Sequence, residues 1–188
     1  MRREQKGLAD TVRDPVAFEA FYRRHVGDVT RFLARRVTDP HTVADLTAEV
    51  FLAVLDSAHT YRPGRGSETA WLYGVARNTL HAEWRRATRL AHATSRLAGR
   101  RLLEPDDVTR LEDRIDAEAP ARRALAAMAG LPEGERALLE LVAVDGLSPA
   151  EAAAALGIRQ GTARVRLHRA RRSIQQAPGV VPAMRGAK

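Results

Sequence analysis

The chain has 188 residues, a formal net charge of +8 and a pI near 11.0. This length allows one or two small domains, and the basic charge indicates a nucleic-acid partner rather than an acidic or neutral ligand. With no cysteine, the chain has no disulfide, thiolate zinc site or thiol redox switch. Its apolar runs are too short to span a bilayer, and its charged N-terminus does not resemble a signal peptide. We therefore expect a cytoplasmic protein.

Helical periodicity dominates the N-terminal half, and no alternating strand pattern is present. Residues 1–14 are polar, so we expect a disordered tail there. Three helices are predicted after it: Pro15 to Val37, a second one after the break at 38–40, and a third from about Thr69 to Arg89, preceded by the turn-rich loop YRPGRGSET. Their apolar residues recur at helical spacing: Phe18, Phe21, Tyr22, Val26, Val29, Phe32 and Leu33; then Val43, Leu46, Val50, Phe51, Val54 and Leu55; then Trp71, Leu72, Val75, Ala76, Leu80 and Trp84.

The periodicity is lost between residues 91 and 118, where the sequence becomes charged and mixed. This segment is predicted to be a linker with some local helix. Helices resume at Pro120 and again from Glu133 to Val144. The predicted fold is all-α, with two small helical domains at 15–90 and 119–177, joined by the linker 91–118 and followed by a flexible tail at 178–188.

The segment 147–174, LSPAEAAAALGIRQGTARVRLHRARRSI, has the pattern of a helix-turn-helix. Ser148 is a helix N-cap followed by proline, and Glu151 stands where its side chain can bond back to the amide of the cap. Gly157 stands where a left-handed residue ends the first helix. These signals predict a short capped helix followed by a turn and a second helix.

The second helix of this motif has one apolar face and one basic face. Its apolar stripe consists of Ala163, Leu167, Ala170 and Ile174. Six arginines and no acid lie between positions 159 and 172. A solvated basic face on a small bundle would also produce such a pattern, but the missing acids and the capped helix upstream favour a helix in the major groove. The face opposite the stripe carries Arg164, Val165, His168, Arg169 and Arg172, with Arg166 and Arg171 at its flanks.

Three stretches, in this order, resemble the extracytoplasmic-function (ECF) sigma factors. They are ADLTAEVFLAVL at 44–55, WLYGVARNTLHAEWRR at 71–86 and LPEGERALLELVAVDGLSPAEAAAALGIRQGTARVRLHRAR at 131–171. The resemblance implies that 15–90 is a region 2 domain and 119–177 a region 4 domain. It also implies three partners: the clamp helices of core RNA polymerase, promoter DNA and an anti-sigma factor.

The first stretch resembles the helix that docks on core polymerase. Asp45 and Glu49 form an acidic rim one turn apart, beside the apolar Leu46, Val50 and Phe51. Such a surface suits a basic coiled-coil partner, although the three apolar residues would also fit a domain core. The chain departs from the family in having alanine at 44 and 48, where polar residues are usual.

The second stretch resembles the helix that reads and helps to melt the −10 element. Opening a duplex requires capture of an unstacked base and of the exposed strand. By the resemblance, Asn78 and the loop residues line a pocket for a flipped base, while nearby arginines supply positive charge. Trp71 is expected in the core rather than in a stacking role. The residues assigned to the −10 element are Arg62, Gly66, Ser67, Arg77, Asn78, Arg85 and Arg86.

The third stretch resembles the domain that reads the −35 element. The resemblance selects the same helix face as the periodicity: Arg164, Val165, His168 and Arg169 would face base edges, and Arg171 and Arg172 the phosphates. Val165 replaces a frequent serine, so that it would contact a thymine methyl group instead of donating a hydrogen bond.

Other classes of protein fit less well. The six histidines lack metal-ligand spacing, and PGRG at 63–66 lacks the lysine of a P-loop, so we expect no enzyme activity, metal or cofactor. A helix-turn-helix regulator acting without polymerase would explain 131–174 equally well but leaves the motifs at 44–86 as coincidence. A protein that holds polymerase without melting DNA is a third possibility. The sequence predicts no arrangement of the two domains relative to each other.

Overall fold

The computed structural model describes residues 7–91 and 103–176, and within these ranges the chain is helical and has no strand. The predicted all-α class is therefore confirmed. Two single 3₁₀ turns lie at Ala58–Thr60 and Pro63–Arg65. The helices are α1 (Leu8–Thr11), α2 (Pro15–Ala34), α3 (Pro40–Ser57), α4 (Glu68–Ala91), α5 (Pro105–Ala117), α6 (Ala119–Ala127), α7 (Glu133–Ala143), α8 (Pro149–Ala155) and α9 (Gln160–Gln176).

The N-terminal domain is built on α2, α3 and α4. Helices α2 and α3 each begin at an aspartate cap followed by proline: Asp14 accepts from the amides of residues 16 and 17, and Asp39 from that of residue 42. Most residues of the predicted apolar stripes are buried between these helices, as expected. Four stripe residues, Phe18, Val26, Trp71 and Val75, are half-buried. The exposed ones lie at stripe edges, where periodicity does not distinguish core from rim: Tyr22, Leu55 and Trp84 are 38%, 42% and 46% exposed.

The structure differs from the prediction at the tail and in the linker. Leu8 of α1 is buried, so residues 7–14 are part of the fold rather than a disordered tail. Helix α5 occupies half of the predicted linker and packs on α2 and α3, with Ile115 only 4% exposed. Val108, Leu111 and Ile115 recur at helical spacing in α5, and Leu111 packs beside Ile115 against the core, but this stripe is short and lies among many charges. Residues 1–6, 92–102 and 177–188, which include the predicted C-terminal tail, lie outside the described residues.

Helices α6 to α9 form the C-terminal domain, and α8 and α9 form the helix-turn-helix. The predicted capping box is present: the Ser148 hydroxyl accepts from the Glu151 amide (3.2 Å), and the Glu151 carboxylate accepts from the Ser148 amide (3.1 Å). Gly157 has φ +65° and ends α8 in the left-handed conformation, also as predicted. The two domains are in contact, because α8 packs against α4.

Candidate nucleic-acid and polymerase interfaces

Helix α9 presents its basic face to solvent. Ala163, Leu167 and Ala170 are at most 4% exposed and anchor the helix on α7 and α8. Because the buried residues recur every three or four positions, the residues between them point outwards. The structure thus brings the six residues assigned to the −35 element onto one exposed face: Arg164, Val165, His168, Arg169, Arg171 and Arg172.

An open groove of about 440 Å³ runs between the beginning of α8 and the face of α9. Its walls include Ser148 and Pro149 on one side and Arg164, His168 and Arg171 on the other. Arg166 lies apart from this groove, because its guanidinium packs against Gly134 of α7. Arg164, His168 and Arg171 thus face the groove, whereas Arg166 is engaged with α7.

The loop before α4 is held in shape by hydrogen bonds and by one glycine. Gly66 has φ +155°, a conformation that residues with a side chain rarely adopt. The Ser67 hydroxyl accepts from the Ala70 amide (3.2 Å) at the first turn of α4. The Trp71 indole donates to the Thr60 hydroxyl (3.1 Å), so this half-buried tryptophan braces the loop instead of pointing into solvent.

Two cavities flank Trp71, and together they connect the loop to Asn78. The first, about 190 Å³, is lined by Arg62, Gly66 and Ser67; the second, about 490 Å³, is lined by Asn78. Both cavities also include Trp71 and the end of α8 in their walls. The structure thus brings together four of the seven residues assigned to the −10 element.

The other three residues assigned to the −10 element diverge along α4. Arg85 lies two turns after Asn78 on the same exposed stripe. Arg77 turns towards α7, where its guanidinium lies 3.6 Å from the Glu133 carboxylate. Arg86 turns towards α3, with its guanidinium 2.6 Å from Glu83 and 4.0 Å from Glu49.

A basic cleft of about 400 Å³ lies between α4 and the helices α6 and α7. His81 and Trp84 line it, with ring centroids 5.3 Å apart. Burial lowers the pKa of His81, and the positive charges of Arg77, Arg85 and Arg136 lower it further, while Glu133 opposes them. These surroundings therefore favour the neutral form of the imidazole. Among the described residues, no group of three histidine or carboxylate side chains is placed to hold a metal ion.

The exposed side of α3 carries both carboxylates and apolar residues. Leu46, Val50 and Phe51 are at most 4% exposed, so their burial does not support the prediction that they contact polymerase. Instead, Leu52 is 62% exposed and follows Glu49 by three positions, which places the two on one face of the helix. The acidic rim at Asp45 and Glu49 thus continues into an exposed leucine.

Comparison with known proteins covers both domains. Residues 21–90 match the Sigma-70 region 2 family model, and residues 121–174 match the Sigma-70 region 4 model. The ECF RNA polymerase sigma factor SigF of Caulobacter vibrioides is 36% identical over 145 residues, which cover 77% of this chain and 75% of the relative. This chain belongs to the ECF sigma factor family.

Two further similarities agree with this membership. The ECF RNA polymerase sigma factor SigE of Mycolicibacterium smegmatis is 30% identical over 170 residues, which cover 85% of this chain but only 60% of that relative. The solved structure of CnrH in complex with the cytosolic domain of CnrY has a TM-score of 0.54 and 25% identity, over 89% of this chain and 92% of that one.

Promoter recognition is the function of this family, and the regulator alternative, which leaves region 2 unexplained, is not favoured. No helix in the described part of this ECF sigma factor is both long and apolar enough to cross a membrane.

Sequence reasoning missed one group of polar residues in this ECF sigma factor. Arg35 and Arg36, at the end of α2, meet Asp145 in the turn between α7 and α8. Arg36 and Asp145 approach to 2.6 Å, and Arg35 also binds Glu118 (2.7 Å). The available signals were a pair of arginines at the end of a helix and an isolated aspartate before Gly146. Neither signal identifies its partner, because the two are 109 residues apart.

Proposed function

We propose that this ECF sigma factor divides its task among three surfaces: α9 for the −35 element, the loop and outer stripe of α4 for the −10 element, and α3 for core polymerase. The exposed face of α9 carries the proposal. Six side chains with no acid among them point to solvent there, while the opposite face is buried in the domain. This arrangement allows a helix to enter the major groove without unfolding any part of its domain.

On the −35 element, the guanidinium groups of Arg164 and Arg169 would donate paired hydrogen bonds to guanine edges. Such a pair contributes roughly 1–3 kcal/mol of discrimination against the wrong base. Val165 would contact a thymine methyl group, and His168 would contact a base or a phosphate. Arg171 and Arg172 would bind phosphates, which adds affinity but little sequence preference.

On the −10 element, the cavities beside Trp71 offer room for an unstacked base. The amide of Asn78 can both donate to and accept from a base edge. Arg62, Gly66 and Ser67 line the smaller cavity on the other side of Trp71 and would contact the same strand. Arg77 and Arg85 would attract the exposed strand. Unstacking costs a few kcal/mol per base step, so capture of the strand and binding to polymerase would have to act together.

On core polymerase, Asp45 and Glu49 would face basic residues of the clamp helices. Leu52, on the same face of α3, would make an apolar contact with these helices. Arg86, which the sequence assigns to the −10 element, also reaches towards Glu49. It would therefore contribute to the polymerase surface of α3 as well. An exposed leucine on the same face as two carboxylates supports this assignment. Leu46, Val50 and Phe51 would contribute from below by holding α3 in place.

The proposal includes an anti-sigma partner, a cytoplasmic location and an action by binding rather than by catalysis. The similar CnrH was solved with the cytosolic domain of another protein, CnrY, bound to it. The family resemblance implies that an anti-sigma factor also binds this chain. RNA polymerase and the chromosome share the cytoplasm, which supports the proposed location.

The test is binding of the purified chain to bacterial core RNA polymerase, followed by run-off transcription from selected promoter fragments. We expect core binding and initiation from specific promoters, and we expect Asn78→Ala to lose strand opening while binding to −35 duplex DNA survives. Core binding without initiation would instead indicate an adaptor. DNA binding with no core association would reject the sigma assignment in favour of a regulator.

A further inference from the structure

The two domains meet through surfaces of opposite charge. Region 2 contributes arginines from the end of α2 and from α4, and region 4 contributes carboxylates from α7, from the following turn and from α8. Three kinds of contact join them: Arg36 with Asp145 (2.6 Å), Arg77 with Glu133 (3.6 Å), and the Ser67 hydroxyl donating to Glu151 (2.7 Å).

The centre of this interface is desolvated. The side chain of Asp145 is 0% exposed, and those of Arg36 and Arg35 are 7% and 15% exposed. Asp145 accepts from both guanidinium groups, and Arg35 also donates to the carbonyl oxygen of Val144 (2.9 Å). Buried, charge-assisted contacts of this kind hold a defined geometry and are screened by salt much less than surface ion pairs.

The interface also covers residues assigned to the −10 element. Ser67 uses its hydroxyl on Glu151, and Gly66 lies against the side chains of Glu151 and Ala154. Arg77 faces Glu133. Carboxylates of region 4 therefore stand where region 2 would meet the phosphates and base edges of a DNA strand.

Glu140 of α7 adds a further carboxylate, 3.7 Å from the Arg36 guanidinium. We propose that the acidic side of region 4, formed by Glu133, Glu140, Asp145 and Glu151, competes within the molecule with the −10 strand for region 2. The proposal rests on the function proposed above for Ser67 and Arg77. In the closed chain these two residues are occupied, and the −10 strand binds only to the fraction of molecules that is open. The apparent affinity for the strand is lowered in proportion to that fraction.

Gly74 gives a way to open the interface without touching a charged residue. A methyl group at this position of α4 would lie 2.9 Å from the carbonyl oxygen of Ala155 in α8, a backbone atom that can move away only with its helix. Gly74→Ala also improves the helix propensity of α4. The substitution therefore separates the domains while it favours the helix that carries it.

Two further variants complete the design. Gly27→Ala is the matched control, because it makes the same change inside α2 where a methyl group meets nothing within 4 Å. Glu133→Gln removes one competitor at a side chain that is 70% exposed, so its effect does not depend on refolding of the interface. It should strengthen binding of the −10 strand by no more than about fivefold, the range of a surface ion pair.

The chain has no cysteine, so a pair of dyes can be placed at Glu19→Cys and Gln175→Cys, one exposed position in each domain, without background labelling. Energy transfer in the free full-length chain reports closure. Anisotropy with a single-stranded oligonucleotide that carries the −10 element of a run-off promoter reports access to region 2. Each variant is also checked by circular dichroism and measured again with Asn78→Ala added.

We expect Gly74→Ala to lower energy transfer and to bind the oligonucleotide at least about tenfold more tightly, the gain if at most a tenth of the free chain is open. Gly27→Ala should match the parent chain in both. Equal energy transfer in the parent and Gly74→Ala would overturn the closed state. Lower energy transfer in Gly74→Ala without tighter oligonucleotide binding would overturn the competition. If Asn78→Ala then also leaves oligonucleotide binding unchanged, the assignment of this surface to the −10 element is wrong.

Discussion

Glu151 uses its two carboxylate oxygens in two different parts of the molecule. One accepts from the hydroxyl of Ser67 in region 2, and the other from the Ser148 amide in the capping box of α8. The bond from Ser67, then those from Ser148, lower the pKa of Glu151. Because the folded pKa lies below the unfolded one, this stabilisation is present above the unfolded pKa and is lost as the pH falls through the folded value. The cap and the domain contact thus weaken together in acid.

His81 is predicted to report opening of the domains through its pKa. Burial and the charges of Arg77, Arg85 and Arg136, opposed by Glu133, lower this pKa in the closed chain. Because the folded pKa lies below the unfolded one, stability falls as the pH drops below the unfolded value. NMR titration should show a pKa below the usual 6.5 that rises in Gly74→Ala, where the residues of α7 withdraw. The same pKa in both chains would mean that the cleft is not formed between the domains.

Individual arginines of α9 are predicted to contribute to recognition of the −35 sequence, and not only to the net positive charge that attracts DNA. Arg164→Ala or Arg169→Ala should weaken binding to −35 duplex DNA by about 5- to 150-fold, the loss of one paired contact to guanine, and leave core binding unchanged. Anisotropy at one fixed salt concentration measures the first, and a core-binding assay the second. Arg110→Ala, at an exposed position of α5, removes the same charge elsewhere. An equal loss in that control would attribute the effect to net charge.

Among the helices, α3 shows that periodicity identifies the buried stripe, whereas only the measured exposure identifies an apolar surface residue. Its spacing identifies Leu46, Val50 and Phe51 as one stripe, and all three are buried. Spacing also assigned Leu55 to that stripe, although it lies at the rim. Leu52 falls outside the stripe and for that reason attracts no notice in a search for a core. An exposed apolar residue is found only when the neighbouring helices are in place to show what they leave uncovered.

Substitutions in α3 are predicted to separate binding from folding. Leu52→Asp should lower affinity for core polymerase by about tenfold or more, the loss of one well-packed interface contact, and leave thermal unfolding nearly unchanged because the side chain is 62% exposed. Leu46→Ala should instead destabilise region 2 by about 2–5 kcal/mol. Core-binding titrations and thermal melts of both variants measure the two effects. Normal core binding by Leu52→Asp would remove this face of α3 from the interface.

The elements with strong local signals are those that the sequence predicts well. Capped helices such as α8, and long stripes such as that of α2, agree with the structure to within a few residues. Helix α5 is harder to predict, because its apolar stripe is only three residues long, Val108, Leu111 and Ile115, and only Ile115 is fully buried. The arrangement of the domains was not predictable at all. It depends on Arg35 and Arg36 finding Asp145, and nothing local to either segment indicates the other.

For the molecule as a whole, Asp145 is predicted to couple the unfolding of the two domains. Asp145→Asn leaves two buried arginines without their shared carboxylate, which costs about 3–5 kcal/mol for a buried pair unless the interface opens first. We therefore expect scanning calorimetry to resolve two transitions in place of one. Asp107→Asn changes an exposed pair with Arg110 and should have almost no effect. A single unshifted transition in Asp145→Asn would show that the domains unfold independently of this contact.

Helix α5 limits how far the closed molecule can reach along a promoter. Positions −35 and −10 are separated by about 25 base pairs, or roughly 85 Å of duplex at 3.4 Å each, whereas a compact chain of this length is only about 40 Å across. Ile115 anchors α5 on region 2, and α6 begins two residues beyond Ala117, so almost no slack is left between the domains. Releasing α5 from region 2 would add its own length of about 20 Å to the connection between the domains. The part of the connection that α5 supplies is therefore packed against region 2. Release of α5 would increase the distance at which the two domains can bind a promoter.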